Sequence, residues 1–321
     1  MMAVSPDHAE MAARWASFDA AWYHARYAAV LDLMDITPAQ ARDFYHEHGA
    51  ALHHAPNPFF DEAWYCATYP DVAALVAQGV WRSGFDHYLN AGLNDHNPHW
   101  LFDEHAYRAG YPDMTQAGLE QAGYRNGYDH YLRTGDAQMR TGSCFFDPAT
   151  YLALAPEGEA GTLARPFADY LLRGAAALPW CTLSPYFDAE WYARTYPDVQ
   201  AEITQGLWQS ALHHYLCNAT PLEFDPGPLF SESFYCAVNP DVLEAVERGE
   251  LRNGYAHFLR HGVHELRKPC SMLDLAQYMR DPAIQVDVTA GRARDGFGHY
   301  LTARPDLRPA APPPVTAAQA R

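Results

Sequence analysis

The sequence predicts an all-α protein, an array of about seven three-helix repeats of about 42 residues, solenoid-like or compact. Three observations predict it. A short aromatic block recurs at near-constant spacing, one tyrosine keeps its place in every copy, and helix-capping and helix-ending residues follow in the same order each time.

The block is clearest as Phe60-Asp61-Glu62-Ala63-Trp64-Tyr65, Phe187-Asp188-Ala189-Glu190-Trp191-Tyr192 and Phe18-Asp19-Ala20-Ala21-Trp22-Tyr23. Looser copies start at Phe102, Phe146, Phe230 and Leu273, so the starts are 42, 42, 44, 41, 43 and 43 residues apart. The fifth residue after each start is tyrosine: Tyr23, Tyr65, Tyr107, Tyr151, Tyr192, Tyr235 and Tyr278.

Each copy reads as three short helices. Asp61 is an N-cap type whose carboxylate can accept from the free amides of a first turn, so helix one runs from there through Trp64 and Tyr65 to about Thr68. Pro70 ends it, because a residue before proline is pushed out of the α region. The same proline can open helix two, with Asp71 in the first turn complementing the helix dipole. Equivalent Pro-Asp pairs stand at 112–113, 197–198 and 240–241. Helix two stops at Gly79. Ser83, Asn126, Ser210, Asn253 and Asp295 are caps for helix three, which carries the aromatic-rich His-Tyr-Leu blocks at 87–89, 130–132, 214–216 and 299–301 and His257-Phe258-Leu259. Gly92, Gly135, Gly174 and Gly262 are expected to close it as left-handed caps. The one alternating stretch, Ile284 to Val288, falls where helix two of the last copy belongs.

Helices of about ten residues are marginal alone, so each copy must bury its aromatics against its neighbours. A buried Trp or Tyr removes about 150–250 Å² from water, worth roughly 4–6 kcal/mol before entropy costs. The expected organisation is an N-terminal extension (1–15), repeats one to three (16–145), and a degenerate fourth repeat serving as a joint (146–186). Repeats five to seven (187–303) and a disordered Pro/Ala-rich tail (304–321) follow.

Composition narrows the function. With 22 basic and 39 acidic residues the net charge is −17, which repels phosphate backbones and anionic lipid heads; nucleic acid is not an expected partner. No run of about 18 apolar residues exists, so no membrane span is expected, and the first residues lack a secretory signal pattern. Six scattered cysteines without CxxC fit a reducing, cytoplasmic setting, and Cys66 and Cys236 read as small core filler.

No residue set points to catalysis. The Phe-Asp and Pro-Asp carboxylates occupy cap and first-turn positions in every good copy, whereas an enzyme needs one special place. His87, His130, His214, His257 and His299 occur once per repeat, a row rather than the convergent three or four ligands of a metal site, and are expected to bond to a nearby cap or aspartate. His46-Glu47-His48 with His53-His54 is the densest cluster and also reads as no site. No cofactor and no metal are therefore expected. Trp22, Trp64 and Trp191 are the candidate ligand-binding residues, because the tyrosine beside each belongs to the core and adjacent helical residues point about 100° apart.

With these blocks in hand, the pattern F-D-x-x-W-Y-x-x-x-Y-P-D-V followed by H-Y-L-x-x-G resembles bacterial repeats found beside glycosyltransferase domains and in large exoproteins. The resemblance covers about residues 16–302, and His261 to Pro269 is its best ending, with Leu266 where the family has glycine. No catalytic domain or D-x-D motif accompanies it. The resemblance implies a non-catalytic scaffold or adaptor binding a protein partner in surface-polysaccharide biosynthesis. The alternatives are a glycan-binding module and an accessory to, or remnant of, a glycosyltransferase-type enzyme.

Overall fold

A computed structural model describes Met11, residues 14–154 and residues 163–303. The tail, most of the N-terminal extension and the degenerate segment 155–158 lie outside the described residues. Every named element among the described residues is a helix, so the protein is all-α. The chain divides into two compact units, Met1–Ala177 with repeats one to four and Leu178–Arg321 with repeats five to seven.

Within a repeat the sequence signals act where they stand. Helix one of the second repeat is Glu62–Thr68, and the Asp61 carboxylate accepts from Trp64 N at 3.0 Å. Asp19, Asp103, Asp147, Asp188, Ser231 and Asp274 cap the other six first helices in the same way. Helix two begins on the proline in Pro70–Ala77, Pro197–Thr204 and Pro240–Glu247, whereas in the third repeat Pro112 lies in a turn and helix two is Gln116–Gln121, capped by Thr115. Ile284 to Val288 lies inside Pro282–Thr289 and is helical.

Left-handed glycines end helix two rather than helix three. Gly79, Gly123, Gly206, Gly249 and Gly291 have φ of 72–79°. At Gly79 the next amide, Val80 N, bonds Leu75 O while Gly79 N bonds Val76 O, the paired closure of a Schellman motif. Of the four glycines expected as left-handed caps of helix three, only Gly174 has positive φ. The other three lie in π turns: helix three is Gly84–His87, Gly127–His130 or Gly254–His257, continued as Tyr88–Gly92, Tyr131–Gly135 or Phe258–Gly262. The first repeat does the same at Tyr45–Gly49. There the glycine is needed for space, since a Cβ on Gly92 would stand 2.6 Å from the Tyr65 hydroxyl.

In five cases a repeat also closes on itself. The amide of its capping residue bonds a carbonyl at its far end: Asp19 N to Pro56 O, Asp61 N to Pro98 O, Asp103 N to Gly142 O, Asp188 N to Pro226 O and Ser231 N to Pro269 O, all 3.0–3.1 Å. The second block's tyrosine ties the same ends together. The hydroxyls of Tyr27, Tyr69, Tyr111 and Tyr196 accept from the amides of Ala55, Asn97, Thr141 and Asp225 at 2.8 Å.

Within each unit the core is a chain of aromatics handed from repeat to repeat, with Tyr23, Tyr65, Tyr107 and Tyr151 buried in the first, and Tyr192 and Tyr235 buried and Tyr278 half-buried in the second. Contacts reach beyond the nearest neighbour. Trp15, which the sequence reading placed ahead of the array, is buried against Tyr88 and Tyr128 and donates to Asp129 Oδ1 at 2.9 Å in the third repeat. In the second unit Tyr186 OH, just ahead of the fifth repeat, donates to Asp295 Oδ2 of the seventh at 3.0 Å.

Candidate functional site

The row of histidines is held by tyrosines, not by caps or aspartates as the sequence suggested. Helix-one tyrosine and helix-three histidine meet at hydroxyl and Nδ1: Tyr65–His87 2.8 Å, Tyr107–His130 2.8 Å, Tyr192–His214 2.7 Å, Tyr235–His257 3.0 Å and Tyr278–His299 2.7 Å. His299 alone adds an aspartate, Asp287 Oδ2, 3.1 Å from Nε2. In the first repeat Phe44 stands where helix three carries histidine elsewhere, and His54 from the following loop bonds Tyr23 at 2.8 Å instead. In the fourth repeat Asp169 accepts from Tyr151 at 2.6 Å. All seven repeat tyrosines thus find a partner.

Burial sets the protonation in most of these pairs. It raises Tyr65, Tyr107, Tyr192 and Tyr235 far above the phenol range, so they keep their protons. It lowers His54, His87 and His257, and takes His130 and His214 down to about 4. We assign the bond as phenol O–H donating to a bare Nδ1, with the imidazole proton on Nε2. A neutral imidazole committed this way is not an open metal ligand row.

A second polar device was not read from the sequence. Glu62, Glu104 and Glu232, each next to the capping residue of helix one, are buried and sit under the N-terminus of helix three. Glu104 accepts from Gly127 N at 2.7 Å and Tyr128 N at 2.9 Å. Glu62 accepts from Gly84 and Phe85, and Glu232 from Gly254 and Tyr255. Asp136 does the same for Phe167 and Ala168, both at 2.9 Å. Burial pushes Glu104 up to about 7 and Asp136 up to about 6, while the amides pull the other way. The recurring Glu after the cap was the available signal, and its absence from the first, fourth, fifth and seventh copies hid it.

The aspartates of the Pro-Asp blocks stay on the surface. Asp113 takes a bidentate Arg140 at 3.0 and 2.7 Å, and that guanidinium, lying over the Tyr111 ring at 4.6 Å, holds the carboxyl below its usual range. Asp241 pairs with Arg267 in the same manner. No disulfide joins cysteines among the described residues.

Trp22 and Trp64 in the first unit and Trp191 in the second are neither core nor free platforms. Each is half-buried and packs edge-to-face on the tyrosine five residues on, at 6.3, 6.2 and 6.1 Å between ring centres. The histidine cluster divides. His46 and His48 are exposed, His54 turns in to stack on Tyr27 at 3.8 Å, and exposed His53 lies beside Glu62 and Cys66.

In comparisons with known proteins, no family model matches the chain, and neither a curated protein nor a solved structure matches it. No helix among the described residues is long and apolar enough to cross a membrane.

Proposed function

We propose that the chain is a non-catalytic repeat scaffold or adaptor that binds a protein partner, and that it serves bacterial surface-polysaccharide biosynthesis in the cytoplasm. The observation that carries the first part is the use made of the chemical side chains. Among the described residues, tyrosine and histidine are spent on the same bond in five repeats and buried glutamate on the same pair of amides in three. The polysaccharide context rests on the resemblance of the repeat blocks alone.

A protein partner is favoured by what the helix-two closures expose. The residue after a Schellman glycine ordinarily packs back on its helix when it is apolar. Val80 and Leu207 instead stand 59% and 67% exposed, and Leu33, near the corresponding turn of the first repeat, is 87% exposed. Exposed apolar groups at equivalent turns are suited to contact with another protein. The half-exposed tryptophans keep the glycan reading as the second one, since an aromatic edge and face left to solvent can stack on a sugar.

Affinity capture from the source cells with immobilised chain separates the two. The adaptor reading expects a protein retained by the wild type and by Trp64→Ala, and lost with Val80→Asp and Leu207→Asp. Retention of polysaccharide that depends on Trp64 or Trp191, with no protein lost on charging the turns, would replace it with the glycan reading.

A further inference from the structure

One trio of metal-binding side chains converges among the described residues, and it is built where the first repeat meets the second. A His53 ring nitrogen, a Glu62 carboxylate oxygen and Cys66 Sγ all lie within 4.8 Å of one another. Glu62 and Cys66 are one turn apart on helix one of the second repeat and are buried, while His53 reaches them from the exposed loop after the first repeat's π turn.

We propose that His53, Glu62 and Cys66 bind a zinc-class transition-metal dication, with a fourth position open to water on the His53 side.

The spacing fits that ion. Cys66 Sγ is 3.6 Å from Glu62 Oε1. A tetrahedral ion at about 2.3 Å from sulfur and about 2.0–2.1 Å from oxygen sets those two ligands about 3.6 Å apart. The metal would therefore replace the thiol proton that now points at the carboxylate. Binding balances as Cys66–SH plus the dication giving the thiolate complex and one proton released to water. Glu62 keeps its amide bonds from Gly84 at 2.5 Å and Phe85 at 3.0 Å, which fix the carboxylate's angle as outer partners of metal ligands do. A carboxylate has about four acceptor sites, so one remains for the ion once the thiol proton leaves. His53 must swing by roughly 1 Å, which an exposed imidazole on a loop can do. Thiolate, imidazole and carboxylate together suit zinc and cobalt and do not suit calcium or magnesium.

Charge points the same way. Burial pushes Glu62 up to about 7, and burial with the neighbouring carboxylate pushes the Cys66 thiol up to about 12. A dication beside the Glu62 carboxylate supplies the positive charge whose lack keeps the Cys66 thiol protonated. The sixth repeat is the built-in control: Cys236 Sγ is 3.4 Å from Glu232 Oε1 over the same pair of amides, yet no histidine among the described residues joins them. Pairing glutamate with cysteine is thus a packing feature of the repeat, and the histidine makes one copy a site.

The test is a cobalt(II) titration of the reduced, chelator-treated full chain, read by the near-ultraviolet thiolate-to-cobalt band and the visible bands of a tetrahedral ion. Both bands should saturate at one cobalt per chain and be bleached by one equivalent of zinc. His53→Asn, which suits the local φ of 56°, should weaken binding at least tenfold. Cys66→Ser should abolish the thiolate band, and Cys236→Ser should leave it unchanged. Should Cys66→Ser fail to fold, His53→Asn, a surface change, decides. No saturable band in the wild type, a band that survives Cys66→Ser, or binding indifferent to His53→Asn would overturn the proposal.

Discussion

A glycine-to-alanine change in a helix normally stabilises it by up to about 1 kcal/mol, because alanine loses less backbone entropy and has the better propensity. At Gly92 the structure reverses the sign. The added Cβ would stand 2.6 Å from the Tyr65 hydroxyl and 3.3 Å from His87 Nδ1, so the phenol that bonds His87 at 2.8 Å must move. Overpacking of this kind costs about 1–3 kcal/mol, and a buried imidazole acceptor left without its donor costs about 1–3 kcal/mol more. Setting the propensity gain against these, Gly92→Ala should destabilise by about 2–4 kcal/mol in equilibrium urea unfolding of the full chain. Tyr65→Phe alone removes the bond and should cost about 1–2 kcal/mol. In the double variant the hydroxyl that clashed is gone, so Gly92→Ala should add nothing or stabilise slightly. The cycle then has a coupling of roughly 2–4 kcal/mol, far outside additivity. A neutral or stabilising Gly92→Ala, or a double variant whose cost is the sum of the singles, would refute the view that this glycine exists to admit the tyrosine.

Other perturbations follow from the same bonds. Glu104, raised to about 7 against an ordinary 4.5, contributes stability that is present below pH 4.5 and lost as pH rises through 7. Acidifying from pH 8 to 5 should therefore favour wild type over Glu104→Gln in paired melting curves. His214 behaves oppositely: lowered from 6.5 to about 4, its contribution is present above pH 6.5 and lost as pH falls through 4. The gap between wild type and His214→Phe should shrink over that range, and parallel curves for either pair would discredit the corresponding burial effect. Asp188 caps helix one of the fifth repeat through Trp191 N at 2.9 Å, so Asp188→Ala should cost about 0.5–2 kcal/mol in denaturant unfolding and Asp188→Asn much less.

Local signals in this sequence were legible where one residue decides one geometry. The aspartate caps, the proline starts of helix two outside the third repeat and the N-caps of helix three lie where their chemistry places them. Glycine was harder, because the residue serves two ends. Gly79 supplies a left-handed turn and Gly92 supplies empty space, and a bare sequence cannot separate a φ from a missing Cβ. The histidines were recognised as structural, but their partner was misassigned. Tyr65 and His87 are 22 residues apart, and only folding of helix three onto helix one brings them together. The buried glutamates were missed for a related reason. A Glu in a first turn reads as a solvated dipole partner, and only the neighbouring helix end, arriving from 22 residues on, turns it inward.

The repeated polar side chains are what holds each repeat together, and nitrogen-15 NMR of labelled histidine side chains tests that most directly. His87, His130, His214 and His257 should appear as neutral imidazoles with the proton on Nε2, and His130 and His214 should stay so until well below pH 6.5. Protons found on Nδ1 would reverse the assigned direction of the tyrosine bonds, and titration of these rings near 6.5 would mean that the bonds do not hold the rings and that the histidine row is free for other work.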